Sequence, residues 1–383
     1  MKIQPFKIEE WMNLYESSAK YDLTTTCIKP LSIRMLIEHA DENALNSVGN
    51  LPRGLSQDLP QDLLLDLPLG YLNITGSERL KNNIKDLYKN QESSNITVTH
   101  GAIGANQLVF LSLLEKGDEV VSIVPTYQQH YSIPQSIGAN VKLYFLREEN
   151  NWLPSIEELS EVVSSKTKLI CLNNPNNPTG SVIPNHMLEE IVNLAQKNNV
   201  WILSDEVYRG LNLIGKPYSN SISDLYDKGI SVGSMSKTYS LPGLRVGWIC
   251  AREDLINEVN HQRQYNTICV SVLDEYFASI ALESKDWIQA RNLELLRRGH
   301  EVLCDWLKNE RMVQCVIPNG GTTAFVKYQK NLSSKELCKK LQYETGVALL
   351  PGKTMELDGY VRIGFCAENL GIALNIFSDF LHN

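Results

Sequence analysis

The chain has 383 residues, of which 43% are hydrophobic and 21% are charged, and its formal net charge is −8. Such a composition is typical of a globular protein, and the length predicts one large domain with a smaller one beside it. The mild charge without a run of lysine and arginine argues against a nucleic-acid partner, and the lack of an 18-residue apolar stretch argues against a membrane span.

The cysteines indicate the compartment. All eight are scattered, and none forms a Cys-x-x-Cys pair, which is typical of a reduced cytosolic protein. The seven histidines and the cysteines never cluster at the spacing of metal ligands, so we expect no metal site. The first residues also lack the apolar core of a signal peptide. We therefore predict a cytoplasmic protein.

Strand and helix patterns alternate between about residues 95 and 252, which predicts a mainly parallel sheet. A helical pattern precedes this region at Ile8–Lys20. The predicted strands are Asn95–Thr99, Asp118–Val124, Val141–Leu146, Lys168–Leu172, Val200–Ser204 and Ile230–Gly233. The predicted helices within it are one from His100 to about Leu114, Ser155–Ser164 and Met187–Asn198.

The rest of the chain has a different pattern. After Ala251 it is helical to about Asn309, and a strand pair is predicted within Val313–Tyr328. Further predictions are a helix at Ser334–Thr345, a strand through Arg362 and a last helix at Glu368–Leu381. These elements predict a small α+β domain.

A lysine follows one of the apolar strands. Lys237 ends the sequence Ser-Met-Ser-Lys, and Arg245 lies eight residues later. An amine here can form a Schiff base with a phosphorylated aldehyde. The hydroxyls of Ser234 and Ser236 and the guanidinium of Arg245 can bind a phosphate dianion.

Polar residues also follow two neighbouring strands. Asn177 lies in the sequence Asn-Asn-Pro-Asn-Asn-Pro-Thr-Gly after Lys168–Leu172, while Asp205 and Tyr208 come directly after Val200–Ser204. Open α/β sheets place their ligands at the carboxyl ends of the strands. We therefore expect these side chains to meet Lys237 at one edge of the sheet.

The order Asn-Pro-Thr-Gly, Asp-x-x-Tyr, Ser-x-Ser-Lys and Arg resembles the class I/II aminotransferases of the fold-type I pyridoxal phosphate (PLP) enzymes. The resemblance implies an α/β fold with a large domain built on a mainly parallel seven-stranded sheet and a smaller α+β domain. It places the large PLP-binding domain at residues 46–275 and the small domain at 1–45 and 276–383. It also implies PLP as the cofactor and a homodimer with shared active sites.

The resemblance assigns roles around the cofactor ring. Asp205 is expected to hold the proton of the pyridine nitrogen, since an opposite charge favours the cationic form. Asn177 and Tyr208 are expected to donate to the phenolate oxygen. Tyr127 matches the aromatic residue that stacks on the ring, and His130 matches a position that often supports the aspartate.

The resemblance also assigns the phosphate and substrate contacts. Gly101, Ala102 and Ile103 open a helix whose amides would bind the phosphate together with Ser234, Ser236 and Arg245. Arg362 matches the arginine that binds the substrate α-carboxylate, with Asn177 beside it. Tyr71 matches the tyrosine that reaches the phosphate of the neighbouring subunit.

The predicted activity is transamination between an amino acid and a 2-oxo acid, with Lys237, Asp205 and Tyr208 as catalytic residues. Lys237 would bind PLP through a Schiff base and act as the general base once released. Neighbouring cations and desolvation are expected to lower the pKa of Lys237. No second arginine can be assigned to a side-chain carboxylate, so the sequence does not favour aspartate as the substrate.

Three alternatives remain open. The usual Gly-x-Pro-Asp loop is replaced by Tyr21–Cys27. This polar stretch, the opening Pro5–Met12 and the stretch Gly320–Phe325 resemble the capreomycidine synthase-like branch, which cyclises a hydroxylated arginine through β-elimination. Histidinol-phosphate aminotransferases share the Asn-Pro-Thr-Gly and Pro-Gly-Leu-Arg motifs. A non-catalytic PLP-binding regulator would need a DNA-binding extension ahead of the helical pattern at Ile8. Separately, the leucine-rich segment Leu51–Leu69 is predicted to be a dimer-interface arm.

Overall fold

The computed structural model describes residues 2–40 and 67–383. The predicted interface arm at Leu51–Leu69 lies almost wholly outside these residues and stays a prediction. The helices are α1 (Lys7–Tyr15), α2 (Ile33–His39), α3 (Glu78–Lys85), α4 (Gly101–Leu113), α5 (Gln129–Ile137), α6 (Ile156–Val162), α7 (Asn185–Asn198), α8 (Ile222–Leu225), α9 (Glu253–Arg263), α10 (Val272–Glu283), α11 (Lys285–Asn309), α12 (Ser334–Thr345) and α13 (Leu370–His382).

The strands fall into three sheets. They are β1 (Tyr21–Asp22), β2 (Ile96–His100), β3 (Glu119–Val124), β4 (Asn140–Phe145), β5 (Thr167–Asn173), β6 (Trp201–Asp205), β7 (Gly229–Ser234), β8 (Val246–Cys250), β9 (Val313–Cys315), β10 (Thr323–Tyr328), β11 (Val347–Ala348), β12 (Leu350–Pro351) and β13 (Tyr360–Gly364). No helix among the residues described is long and apolar enough to cross a membrane.

The largest sheet has seven strands in the order β2-β8-β7-β6-β5-β3-β4. Strand β8 pairs antiparallel with both of its neighbours, and the other pairs are parallel. The predicted mainly parallel seven-stranded sheet is thus confirmed. All six strands predicted from their apolar runs are present, because strands covered on both faces need apolar residues at nearly every position.

Helices cover both faces of this sheet. On one face α4 and α9 bury residues such as Leu108 and Ile256, and on the other α6 and α7 bury residues such as Leu159 and Ile191. Loops at the strand ends are the remaining places where polar side chains can face a ligand. Because both faces of the sheet are covered, we expect a ligand to bind at the carboxyl ends of its strands.

The N-terminal and C-terminal elements share a separate core. Strands β12-β13-β10-β9 form an antiparallel sheet, and β1 pairs in parallel with β11. Ile8 and Trp11 of α1 are buried in the same hydrophobic cluster as Leu337 and Phe377. This arrangement brings α1 and β1 next to the C-terminal elements, while the predicted domain boundaries themselves stay a prediction.

Two helical predictions differ from the structure at their ends. The helix predicted at Ile8–Lys20 ends at Tyr15 and continues only as a short 3₁₀ turn. The helical region predicted from residue 251 to 309 consists of α9, α10 and α11, with a turn between α9 and α10 where Ile268 has a φ of 56°. A β-branched residue in the left-handed region cannot continue a helix.

Candidate active site

A cavity of about 470 Å³ lies at the carboxyl edge of the seven-stranded sheet, where β5, β6 and β7 end. Its wall combines these strand ends with α1, the start of α4 and the segment after β1. The lining residues that sequence reasoning named are Ala102, Ile103, Tyr127, Asn177, Asp205, Tyr208, Ser234, Ser236, Lys237, Arg245 and Arg362. Most of the predicted site residues therefore meet in one place.

Lys237 lies in the loop after β7, and its neighbours fix the backbone there. Thr238 Oγ1 donates to the carbonyls of Val207 and Arg209 at 3.0 Å each. Asn292 Nδ2 donates to the Thr238 carbonyl at 2.9 Å. The loop that carries the lysine is thereby tied to the loop that follows β6.

The electrostatics of Lys237 differ from the sequence-based expectation. Burial lowers the pKa of Lys237 and Arg362 also lowers it, but Tyr208 and Cys27 favour the ammonium form, and the net pKa is raised above its ordinary value. The predicted lowering is therefore wrong for the amine as the structure shows it. Tyr208 and Cys27 together outweigh the effect of desolvation on the pKa.

Asp205 ends β6 and is 6% exposed. Its Oδ2 accepts from Asn106 Nδ2 at 3.1 Å, and its Oδ1 accepts from the Val207 amide at 3.2 Å. His130 Nε2 lies 3.4 Å from Oδ2 but lacks the alignment of a hydrogen bond. The carboxylate is thus held from two sides and can face a cationic ring nitrogen in the cavity.

Asn106 is a site residue that the sequence analysis missed. It lies on α4, is 1% exposed and also contacts Gln129 Oε1 at 3.3 Å. The available signal was an amide side chain in a mostly apolar helix, five residues after Gly101, although the adjacent Gln107 is an amide too. A buried amide needs partners, so such a residue indicates a polar neighbour from elsewhere in the fold.

Arg362 lies on β13 and is 3% exposed. Its Nη2 donates to the Thr24 carbonyl at 2.6 Å, and its Nη1 donates to Asn177 Oδ1 at 3.2 Å. Its Nε has no partner among the residues described. Burial lowers the pKa of Arg362. A buried guanidinium with an unused N–H beside a cavity fits a carboxylate ligand.

The start of α4 forms the opposite end of the cavity. Gly101 has a φ of +64°, and a Cβ there would lie 2.8 Å from Arg245 Nη2. Arg245 Nη1 lies 3.5 Å from Ser236 Oγ, and Ser234 Oγ accepts from the Ser236 amide at 3.3 Å. The helix start and these side chains together provide donors for a phosphate.

Tyr127 forms a side wall with α1. Its ring lies 4.8 Å from that of Phe6, and its hydroxyl donates to Glu9 Oε1 at 2.7 Å. Burial and the adjacent Glu9 carboxylate raise the pKa of Tyr127. Tyr208 is 2% exposed at the other side. Sequence reasoning missed the part of α1 that reaches the cavity, because nothing in its pattern indicates which element it packs against.

Tyr71 is the predicted site residue that lies apart from the others. It is 87% exposed and does not line the cavity. Its predicted role needs a second copy of the chain, so it stays a prediction.

The donor set fits PLP. An amine, a phosphate site at a helix start and a buried carboxylate surround one cavity, in the places that an aldehyde, a phosphate and a pyridine nitrogen require. The unpartnered Arg362 Nε adds a site for a substrate carboxylate. Fold and site together define a PLP-dependent enzyme of fold type I.

The chain belongs to the family of aminotransferases class I and II, whose sequence profile matches residues 67–372. It is 29% identical to capreomycidine synthase of Streptomyces vinaceus over 359 residues, 94% of this chain and 88% of that protein. It is 32% identical to an aspartate aminotransferase of Thermotoga maritima over 312 residues, 80% of this chain and 81% of that protein.

Among solved structures, a PLP-dependent aminotransferase from Streptococcus suis 89-1591 superposes with a TM-score of 0.90 at 40% identity. The match covers 100% of this chain and 98% of that one. The protein is a PLP-dependent aminotransferase, as its sequence motifs predict, and PLP is its cofactor.

Proposed function

We propose that this enzyme transfers an amino group between an amino acid and a 2-oxo acid, with Lys237 as the covalent anchor of PLP and the general base. The observation that carries the proposal is the convergence of Lys237, Asp205 and Arg362 on one cavity. When bound, PLP accepts the electron pair of the bond that breaks at the substrate Cα.

Asp205 keeps the pyridine nitrogen protonated, which that electron transfer requires. The hydrogen bonds from Asn106 and from the Val207 amide hold its carboxylate in place. Ser234, Ser236, Arg245 and the first amides of α4 bind the phosphate. Each of these groups is fixed by its own element, so binding needs little rearrangement of the site.

Arg362 binds the α-carboxylate and so orients the substrate. The Thr24 carbonyl and the Asn177 side chain each occupy one of its five N–H groups, which leaves Nε–H and a second N–H on each Nη as donors for the ligand. A substrate held at this point presents its Cα hydrogen to the Lys237 amine. Lys237 would then act as the base that removes the Cα proton and carries it for later return.

The acidic lining of the cavity bears on the substrate side chain. Glu9 and Glu16 of the N-terminal region line the cavity, and Glu9 acts electrostatically on Arg362. Burial together with Asp22 and Glu9 raises the pKa of Glu16, as expected for crowded carboxylates. We propose that a neutral or cationic side chain is preferred over an acidic one, since like charges repel.

A lyase or cyclase reaction is the second candidate. The same acidic lining suits a cationic substrate, and the capreomycidine synthase relative matches over nearly the whole chain. The residues that remove the Cα proton serve both reactions, and only the later fate of the electron pair differs. We keep transamination as the main proposal because the family is that of aminotransferases.

Two further properties belong to this proposal. We propose a homodimer with shared active sites, supported by the family's pattern of a tyrosine at Tyr71 and by the exposure of that side chain. We also propose a cytoplasmic location, supported by eight cysteines that are all free.

The test mixes PLP-loaded protein with single amino acids, including aspartate, arginine and ornithine, without any 2-oxo acid. Conversion of the cofactor to its amine form with one equivalent of 2-oxo acid supports transamination and identifies the donor. An unchanged cofactor spectrum with accumulation of ammonia or a cyclic product would replace it with the lyase or cyclase reaction. Lys237→Ala is the control and should give neither.

A further inference from the structure

The segment Leu23–Cys27 lies over the active-site lysine and is fixed from the opposite side. Arg362 Nη2 donates to the Thr24 carbonyl at 2.6 Å, and Thr322 Oγ1 donates to the Thr26 carbonyl at 2.9 Å. Both donors belong to the C-terminal part of the chain. The segment therefore has a defined position relative to Lys237, although it is more than 200 residues away in sequence.

Two side chains of this segment contact the Lys237 amine. Lys237 Nζ donates to Thr26 Oγ1, and it also donates to Cys27 Sγ at 3.3 Å. An ammonium group has three protons to donate, and a hydroxyl and a thiol are acceptors. The amine thus has two partners from one segment on the substrate side of the cavity.

We propose that Thr26 and Cys27 are positioning residues that hold the Lys237 amine after a substrate amino group has displaced it from the cofactor. The inference rests on the proposed role of Lys237 as the base. The released amine must stay within reach of the substrate Cα. A lysine side chain without partners can adopt many rotamers about its four rotatable bonds, and most of them would move the amine away. Thr26 and Cys27 restrict that freedom.

The groups around the amine decide the sign of the expected pH effect. Cys27 and Tyr208 face it and favour its ammonium form, whereas Arg362 opposes it. Removal of Cys27 should therefore lower the pKa of Lys237. The base acts in its neutral form, so the rate of Cα proton removal increases with pH as the amine loses its proton. The midpoint of that increase should lie at a lower pH in Cys27→Ala than in the wild type.

The test uses PLP-loaded Thr26→Val, Cys27→Ala and the double variant in deuterated solvent. We expect the exchange of the amino-acid Cα hydrogen to fall roughly tenfold to a hundredfold at saturating substrate, the range for lost hydrogen bonds to a charged group. We also expect the amino-acid concentration for half-maximal change of the cofactor spectrum to rise. The PLP dissociation constant should not rise and the melting temperature should not fall, whereas a merely structural role would change both in these directions.

Conservative variants provide the controls. Thr26→Ser and Cys27→Ser keep an acceptor and should restore exchange, and Cys304→Ala removes a partly buried cysteine that does not line the cavity. The inference would be overturned if the double variant matched the wild type in Cα hydrogen exchange, in the spectral titration with amino acid and in the pH profile. A loss of exchange that parallels a loss of PLP would also overturn it. Since transamination and elimination both need Cα proton removal, exchange tests this inference while product identity tests the proposed function.

Discussion

Asp205 illustrates how single residues in this site depend on neighbours that no motif marks. Its place after an apolar strand was evident from the sequence, but its two hydrogen bonds come from Asn106 on α4 and from the Val207 amide. The contacts of Arg362 with Thr24 and Asn177 are similar, since they join distant parts of the chain. Motifs predicted which residues face the cavity, and long-range packing determined how each one is held.

Asn106→Leu is expected to weaken PLP binding about tenfold and to lower turnover. The change removes one hydrogen bond to the Asp205 carboxylate while keeping the number and branching of the side-chain heavy atoms, and a bond to a charged group contributes about 1.5–3 kcal/mol. The PLP dissociation constant, measured by fluorescence titration, checks the prediction. Asn212→Leu is the control, because Asn212 is also buried but does not line the cavity. Equal losses in both variants would show that Asn106 is only structural.

Helix α4 shows how an element creates a binding site through its first residue. Gly101 has a left-handed backbone conformation and sits against Arg245, so the chain can turn sharply from β2 into the helix and leave its first amides free. The sequence predicted the helix and its start from the Gly-rich turn. The resemblance predicted that Gly101 and Arg245 serve one phosphate site, but how closely the guanidinium packs against the glycine depends on the pairing of β2 with β8.

Gly101→Ala should weaken PLP binding by at least about tenfold. A Cβ would lie 2.8 Å from Arg245 Nη2 and push the guanidinium away, and a non-glycine residue at this φ costs about 1–2 kcal/mol. The measurement is the PLP dissociation constant, together with thermal unfolding of the protein without added PLP.

Gly104→Ala in the same helix is the matched control. Its Cβ would be 3.7 Å from the nearest side-chain atom, so no clash arises. The substitution should leave PLP affinity unchanged and stabilise the protein by about 0.5–1 kcal/mol, because alanine is the better helix former. If Gly104→Ala also released PLP, the special role of Gly101 would be refuted.

Across the whole molecule, the site is built from parts that lie far apart in sequence. Residues of α1 and of the segment after β1 line the cavity with the strand ends of the large sheet and with Arg362 of β13. The exposed position of Tyr71 adds the expectation that a second copy completes the site. Assembly can be tested separately from chemistry. If the sites are shared, a chain that lacks one site residue and a chain that lacks another can together form one complete site in a mixed dimer.

Mixing Lys237→Ala chains with Tyr71→Ala chains is expected to restore activity. In a mixed dimer one site would combine the intact Lys237 of one chain with the intact Tyr71 of the other. Random pairing should recover about a quarter of wild-type activity, since half of the dimers are mixed and each holds one intact site. The assay is turnover after the two variants are unfolded and refolded together. In the control mixture, Tyr343→Ala chains take the place of the Tyr71→Ala chains. Tyr343 is also highly exposed, at 92%, but it lies on α12.

A lack of recovery would contradict shared sites. The same samples, analysed by light scattering, would show whether dimers form at all, which separates a monomer from a dimer with independent sites.

Local patterns in the sequence were sufficient for the class of fold, and the family resemblance of its motifs gave the cofactor and eleven of the 25 residues that line the cavity. Apolar runs specify buried strands, and polar residues at the ends of parallel strands must meet at one edge of the sheet. The raised pKa of Lys237, the support of Asp205 by Asn106 and the closing of the cavity by α1 and Thr26–Cys27 needed the tertiary structure. Each depends on contacts between residues that lie far apart in the chain, and local patterns carry no information on which distant elements pack together.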